Sequence, residues 1–249
     1  MNSMKVKKRK RVRRERHEQT EFNFDAGRWG GARKGAGRKK SKHSGVSHLK
    51  RAEFPERHPV HVTMKLLPEL PSLRIKDNFL AVLEMFEAAQ KEDFRIVHFT
   101  VQGNHVHLLV EAKGKEALSR GVTGLSVRMS KNLNRRWGRR GTVFADRFHS
   151  RVLGSPNEVR NVLHYVFKNR QRHAGKDAVE EFDSRSSSML FDGWEEMEAM
   201  ELVGDYRPLV PARSWMLQKG WKEAGGKLSL YATPGRKKQG AKKAKSYLS

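Results

Sequence analysis

Residues 101–111 read VQGNHVHLLVE, and the fold turns on how this stretch is understood. From His105 onward it is apolar and β-branched, as a buried strand should be. Gly103-Asn104 just before it is a turn pair in reversed hairpin order, so another strand should precede it. Yet the strand carries His105 and His107. Side chains alternate along a strand, so both imidazoles share one face, with Val106 opposite and Leu109 continuing their row.

Working outward, FRIVHFTVQ (94–102) supplies the preceding strand of the hairpin. Further upstream, HPVHVTMKL (58–66) alternates as a strand and is broken by Pro68 and Pro71. Between these two lies KDNFLAVLEMFEAAQK (76–91), whose Phe79, Leu80, Leu83, Phe86 and Ala89 form a helical stripe. Downstream, residues 118–138 read as an amphipathic helix with a basic face, ended by Gly138. GTVFADRFHSRVL (141–153) reads as a fourth strand. A further helix covers 157–174, with Ser155 as its cap, Pro156 at its first position and Gly175 as its stop. The order β-α-β-β-α-β-α predicts an α+β fold. Its first six elements make a ferredoxin-like split βαβ antiparallel sheet with two helices on one face, and the last helix is extra.

The chain has 249 residues and no cysteine, which excludes a disulfide framework, a zinc–thiolate site and a thiol nucleophile. No secretory signal follows the basic N-terminus, and no apolar run approaches the roughly 18 residues of a membrane span. A soluble protein without membrane partners is expected, in a reducing bacterial cytoplasm and associated with the nucleoid. Fifty-two Lys and Arg against 27 Asp and Glu leave a net charge of +25. Such an excess repels itself, and polyanion binding is its usual reason. The charge is unevenly placed: residues 1–51 hold 18 Lys/Arg and 4 acids. This segment is too poor in apolar residues for a core and reads as a largely disordered DNA-binding arm. Its Arg33, Lys34, Arg38, Lys39 and Lys40 sit in a Gly-rich strap that lacks the Lys-Ser/Thr ending of a phosphate-binding loop. Residues 52–175 form the globular domain. Residues 176–249 are an extension: linker-like DAVEEFDSRSSSML, an acidic DGWEEMEAMEL that suggests a short helix, a Trp215/Trp221 segment that suggests one or two docking helices, and a second basic tail.

Two imidazoles two positions apart on one strand can converge on a cation. Imidazole suits manganese, zinc, iron or nickel, whereas magnesium prefers oxygen. A bare His-x-His is equally a pair of hydrogen-bonded sheet residues. The helix over 157–174 adds Tyr165 and, one turn on, Asn169, on one helical face. Tyr165 is the only tyrosine before residue 206. A phenol, with an unperturbed pKa of about 10, is a poor nucleophile until a nearby cation stabilises the phenolate or polarises the phosphate under attack. Asn169 can offer its amide oxygen as a third ligand, leaving positions open for water and phosphate. The same tyrosine is equally a packing residue with a wet hydroxyl.

Together these parts resemble the single-tyrosine HUH transposases and, within them, the REP-associated tyrosine transposases. The resemblance rests on Asn104-His105-Val106-His107-Leu108-Leu109, the Gly138–Gly141 turn, Asp146-Arg147-Phe148-His149, and Tyr165 to Asn169, and covers about residues 58–175. Ser214–Trp221 adds a weaker likeness. Relatives often have Met-Pro before the Asn-His, where this chain has Gln102-Gly103. They usually follow the helix asparagine with proline, where this chain has Arg170.

The resemblance implies a metal-dependent single-stranded DNA endonuclease and strand transferase acting on hairpin or palindromic repeat DNA. It implies His105, His107 and Asn169 as ligands of Mg or Mn. It implies Tyr165 as the nucleophile, giving a 5′-phosphotyrosine and a free 3′-OH. Arg135, Arg136, Arg139, Arg140 and Arg147, with the basic arm, are expected to grip phosphates. Trp29 or Trp137 could stack on a base, and packing is the equal alternative. The protein could act as a monomer or a homodimer. Three rivals stand beside this one: a non-catalytic hairpin DNA or RNA binder using the same split βαβ sheet, a degenerate relative that binds without cutting, and a relaxase or replication initiator.

Overall fold

The protein is described here by a computed structural model covering residues 51–173, 182–196 and 209–231. Four strands form one antiparallel sheet: β1 (Val60–Lys65), β2 (Phe94–Val101), β3 (His105–Ala112) and β4 (His149–Val152), in the order β2-β3-β1-β4. Helices α1 (Lys76–Ala89) and α2 (Lys115–Arg136) connect them, and α3 (Pro156–His173) follows β4. This is the split βαβ arrangement expected from the sequence.

The alternation of each strand sorts residues between two cores. Val60, Val62 and Met64 of β1 and Val106, Leu108 and Val110 of β3 pack with Phe79, Val82 and Phe86 of α1 and Leu118, Val122, Leu125 and Met129 of α2. Close approach of α2 to β2 depends on Gly121, where an added Cβ would lie 2.2 Å from the Phe94 ring. The opposite face carries Leu109 of β3, covered by Val159, Leu163, Val166 and Phe167 of α3. The extra helix is therefore the roof over the second face of the sheet.

Helix α3 starts as its sequence predicts. The Ser155 Oγ accepts the N–H of Glu158 at 3.3 Å, its carbonyl takes that of Val159, and the Glu158 carboxylate accepts the Gly154 N–H at 2.7 Å. Three other expectations are corrected. The hairpin loop has three residues, Gln102–Asn104, closed by the Gln102 N–H on the His105 carbonyl at 2.8 Å. Helix α2 begins at Lys115, a turn earlier than Leu118, after Gly114 at φ 98°. The fourth strand is confined to His149–Val152. Phe144 makes only an isolated bridge to Leu66, and the Asp146 carboxylate captures the Arg147 N–H at 2.7 Å, which removes that donor from a ladder.

The linker-like stretch is the largest correction. Residues 183–188 lie along the outer edge of β2. Val101 donates its N–H to the Arg185 carbonyl, Thr100 bridges Ser186, and the Ser187 Oγ receives the Phe99 N–H. Ser186, Ser187 and Ser188 are buried, and their hydroxyls are spent on backbone groups and on one another. A polar segment thus covers a strand edge that would otherwise be open to pairing. Residues 192–196 of the acidic stretch are not helical; Trp194 bridges Leu228 there, and the rest of that stretch lies outside the described residues. The Trp215/Trp221 segment does dock. A π-helical turn, Met216–Gly220, runs into the short α4 (Trp221–Glu223), and Trp221 is buried against Phe191 while Trp215 stays half exposed.

Candidate active site

The face of the sheet beneath α3 carries the histidines. Pairing in register sets Thr63 opposite His107, Lys65 opposite His105 and His61 opposite Leu109. His105 and His107 stand edge to face with ring centroids 4.9 Å apart. Tyr165 descends from α3 onto the same spot, its ring 5.2 Å from that of His107 at 79°. The structure therefore brings together the strand histidines and the helix tyrosine, from positions about sixty residues apart.

Each histidine has its Nδ1 engaged. The Asn104 Oδ1 lies 3.0 Å from Nδ1 of His105. Thr63 Oγ1 and His61 Nε2 lie 3.0 and 3.2 Å from Nδ1 of His107. An acceptor at Nδ1 keeps the ring proton there and leaves Nε2 with a lone pair, the arrangement a metal-binding histidine needs. His107 is 5% exposed, and its Nε2 is buried.

Asn169 supplies the clearest sign of an uncompleted site. It is 1% exposed, and among the described residues neither its Oδ1 nor its Nδ2 has a hydrogen-bond partner. Burying an amide unsatisfied costs several kcal/mol on the order of 2–7, so such a group calls for a missing partner. A divalent cation would take the Oδ1. The imidazoles of His105 and His107 and the buried amide oxygen of Asn169 are donor types that divalent cations accept. Among the described residues no cluster of three His, Cys, Asp or Glu could hold a metal.

Sequence reasoning missed His61 and Thr63. Both lie on the α3 face by simple alternation, but only the β1–β3 register sets them against His107. Burial holds the His61 imidazole well below its ordinary range, to about 4, with repulsion from His149 and Arg151 adding to it.

The proposed phosphate-gripping residues separate. Arg135, Arg136 and Arg140 are exposed near the end of α2. Arg139 is spent on its own loop, donating to Asn134 Oδ1 at 2.8 Å and to the Thr142 carbonyl. Arg147 is half-buried in the loop leading into β4. That loop runs beside the His105 end of β1, where Ala145 donates to the Lys65 carbonyl. Trp137 is a packing residue: its Nε1 donates to Asn78 Oδ1 at 3.1 Å. Arg33, Lys34, Arg38, Lys39, Lys40 and Trp29 lie outside the described residues. A separate cleft of about 440 Å³ near Glu111 and Arg213 is lined by four cations and four carboxylates, which makes it a poor seat for a polyanion.

Comparison with known proteins bears on this site directly. Residues 72–169 match the family of IS200-like transposases. That stretch begins after β1 and ends on Asn169, so it contains His105, His107 and Tyr165. The expected likeness to a transposase family is borne out over that stretch, which is under half of the chain, and it supports a transposase role. Among solved structures, a REP-associated tyrosine transposase bound to a REP hairpin is similar at a TM-score of 0.48 and 14% identity, over 57% of this chain and 83% of that one. A bacterial tRNA(His) guanylyltransferase-like protein in complex with ATP is similar at a TM-score of 0.37 and 14% identity, over 48% of this chain and 62% of that one. No curated protein matches the sequence. Among the described residues no helix is long and apolar enough to cross a membrane.

Proposed function

We propose that this protein nicks and rejoins single-stranded DNA carrying hairpin or palindromic repeats, through a covalent bond to Tyr165. The observation that carries the reading is the approach of the Tyr165 ring to His107, 5.2 Å away on the strand beneath. His105, His107 and Asn169 would hold a divalent cation, Mg or Mn, which when bound supplies charge stabilisation at the scissile phosphate.

The remaining chemistry belongs to the chain. The Tyr165 Oη attacks phosphorus, and the bond from phosphorus to the 3′ oxygen breaks. The phenolic proton ends on the departing 3′-OH, and the 5′ phosphate stays on the tyrosine. A 3′-OH, the same or another, attacks this phosphotyrosine, restores the phosphodiester and returns the proton to Tyr165. Bond energy is conserved, so no nucleotide is consumed. Lys65, Arg135, Arg136, Arg140 and Arg147 contact phosphates as the strand enters from the His105 end of the sheet. The basic arm over 1–51 adds affinity without sequence selectivity.

An RNA-recognition reading needs an open sheet face on which bases stack. Both faces here are covered, one by α1 and α2 and the other by α3. This favours the nicking enzyme over a sheet-face reader.

The test is a denaturing gel with labelled hairpin DNA from the flanks of the gene, with Mn²⁺ or Mg²⁺ and with chelator. A metal-dependent protein–DNA band that Tyr165→Phe abolishes while hairpin binding persists is the expected result. Tight binding with no covalent band, or equal cleavage by Tyr165→Phe, would overturn the proposal.

A further inference from the structure

His61 lies outside the residues that match the transposase family, yet it touches both halves of the site. Its ring stacks on that of His107 at 5.2 Å and 29°, and meets Tyr165 edge-on at 5.9 Å and 72°. Its Nε2 is 3.2 Å from Nδ1 of His107. Two neutral imidazoles in such contact share one proton in one of two ways. If His61 accepts at Nε2, His107 carries its proton on Nδ1 and keeps the lone pair of its buried Nε2. If His61 donates from Nε2, the proton of His107 moves to its own Nε2, and the ring can no longer ligate through that atom.

We propose that His61 is a positioning residue: its Nε2 accepts the Nδ1–H of His107 and so holds that ring in the tautomer and orientation able to bind a divalent cation. This rests on the metal-site reading above. The 3.2 Å contact aims the His61 Nε2 at His107, so His61 acts through its neighbour and not as a ligand. Thr63, 3.0 Å from the same Nδ1, does not make the choice, because a hydroxyl can donate or accept. An outer partner of this kind sets ligand basicity and ring angle, and its loss usually costs about 10–100-fold in metal affinity.

The experiment uses the full chain without DNA and two readouts. Imidazole ¹⁵N shifts, with His107 assigned by its loss in His107→Ala, report the tautomer in the absence of metal. Titration with Mn²⁺ alone, followed by electron paramagnetic resonance, reports affinity. The variant His61→Phe keeps a ring and removes the nitrogens; His61→Gln restores an acceptor oxygen.

The wild type should show the Nδ1–H tautomer. His61→Phe should mix the tautomers and weaken Mn²⁺ binding about 10–100-fold, and His61→Gln should recover most of both. Should His61→Phe melt early, His61→Met makes the same comparison with a side chain that adapts to the space. A wild-type tautomer and wild-type Mn²⁺ affinity in the nitrogen-free variant would overturn the proposal. Mn²⁺ binding that ignores His105→Ala and His107→Ala would instead sink the metal-site reading, and the tautomer comparison would still decide whether His61 sets His107.

Discussion

Arg74 and Asp183 form a two-pronged ion pair, Nη2 to Oδ1 at 2.7 Å and Nη1 to Oδ2 at 2.9 Å, tying the loop before α1 to the segment after α3. The same Nη1 also donates to the Val101 carbonyl at the end of β2. Asp183 is nearly buried, with a side chain 4% exposed, and takes the Arg185 N–H as well. One guanidinium therefore anchors the C-terminal extension to the strand that leads into the histidine hairpin.

Removing one partner of such a pair leaves the other buried without compensation. Arg74→Ala should cost about 3–5 kcal/mol, more than a surface ion pair is worth. Urea unfolding of Arg74→Ala, Asp183→Ala and the double variant checks it. The double variant should lose less than the two single losses together; additive losses would mean the groups are not coupled.

His98 gives the fold a pH dependence. It lies edge-on to Phe167 and Phe191, 5.2 and 5.6 Å away, and burial lowers its pKa to about 4, with Asp192 pulling weakly the other way. In the unfolded chain the same group titrates near its ordinary value of about 6.5. A depressed histidine contributes its stability above the unfolded pKa and loses it as pH falls towards the folded one. Stability should therefore decline from about pH 6.5 to pH 4, by up to roughly 3 kcal/mol from this group. His98→Phe should flatten that part of a plot of unfolding free energy against pH. An unchanged slope would assign the decline to other groups, His61 first among them.

The arginines near the end of α2 should separate by exposure and by how fully they are engaged: Arg136 donates only its Nε, to Asn132 Oδ1 at 3.3 Å, whereas Arg139 bonds two residues. Arg135, Arg136 and Arg140 are exposed, and alanine at each should weaken hairpin binding and reduce the salt slope by about one unit. Arg139 already bonds Asn134 and Thr142. Arg139→Ala should lower the melting temperature and leave the salt slope nearly intact. Fluorescence titrations at several salt concentrations distinguish the two outcomes, and equal slopes for all four variants would remove the distinction.

Much of the candidate site was legible because it sits within single elements. His105 and His107 share a face by strand alternation alone, and Tyr165 and Asn169 share one by helical spacing. What could not be read was contact between elements. His61 and Thr63 look like ordinary strand residues until the register with β3 is known. Trp137 and Arg139 look like candidates for nucleic-acid contact until their partners, Asn78 and Asn134, are seen. The polar stretch DSRSSS read as a linker because composition reports average burial, whereas Ser186, Ser187 and Ser188 are buried with their hydroxyls bonded to backbone and to one another.

By itself, then, the sequence determined the element order, the split βαβ class, the histidine pair, the tyrosine helix and its cap. Local propensity and the two periodicities encode all of these. Tertiary structure alone decided that α3 lies over the histidine face, that Asn169 is buried with neither polar atom paired among the described residues, that His61 meets His107, and that the extension closes the edge of β2. The physical reason is the same in each case. Register between strands and the docking of a helix on a sheet are settled by packing among residues distant in the chain, and no local pattern records it.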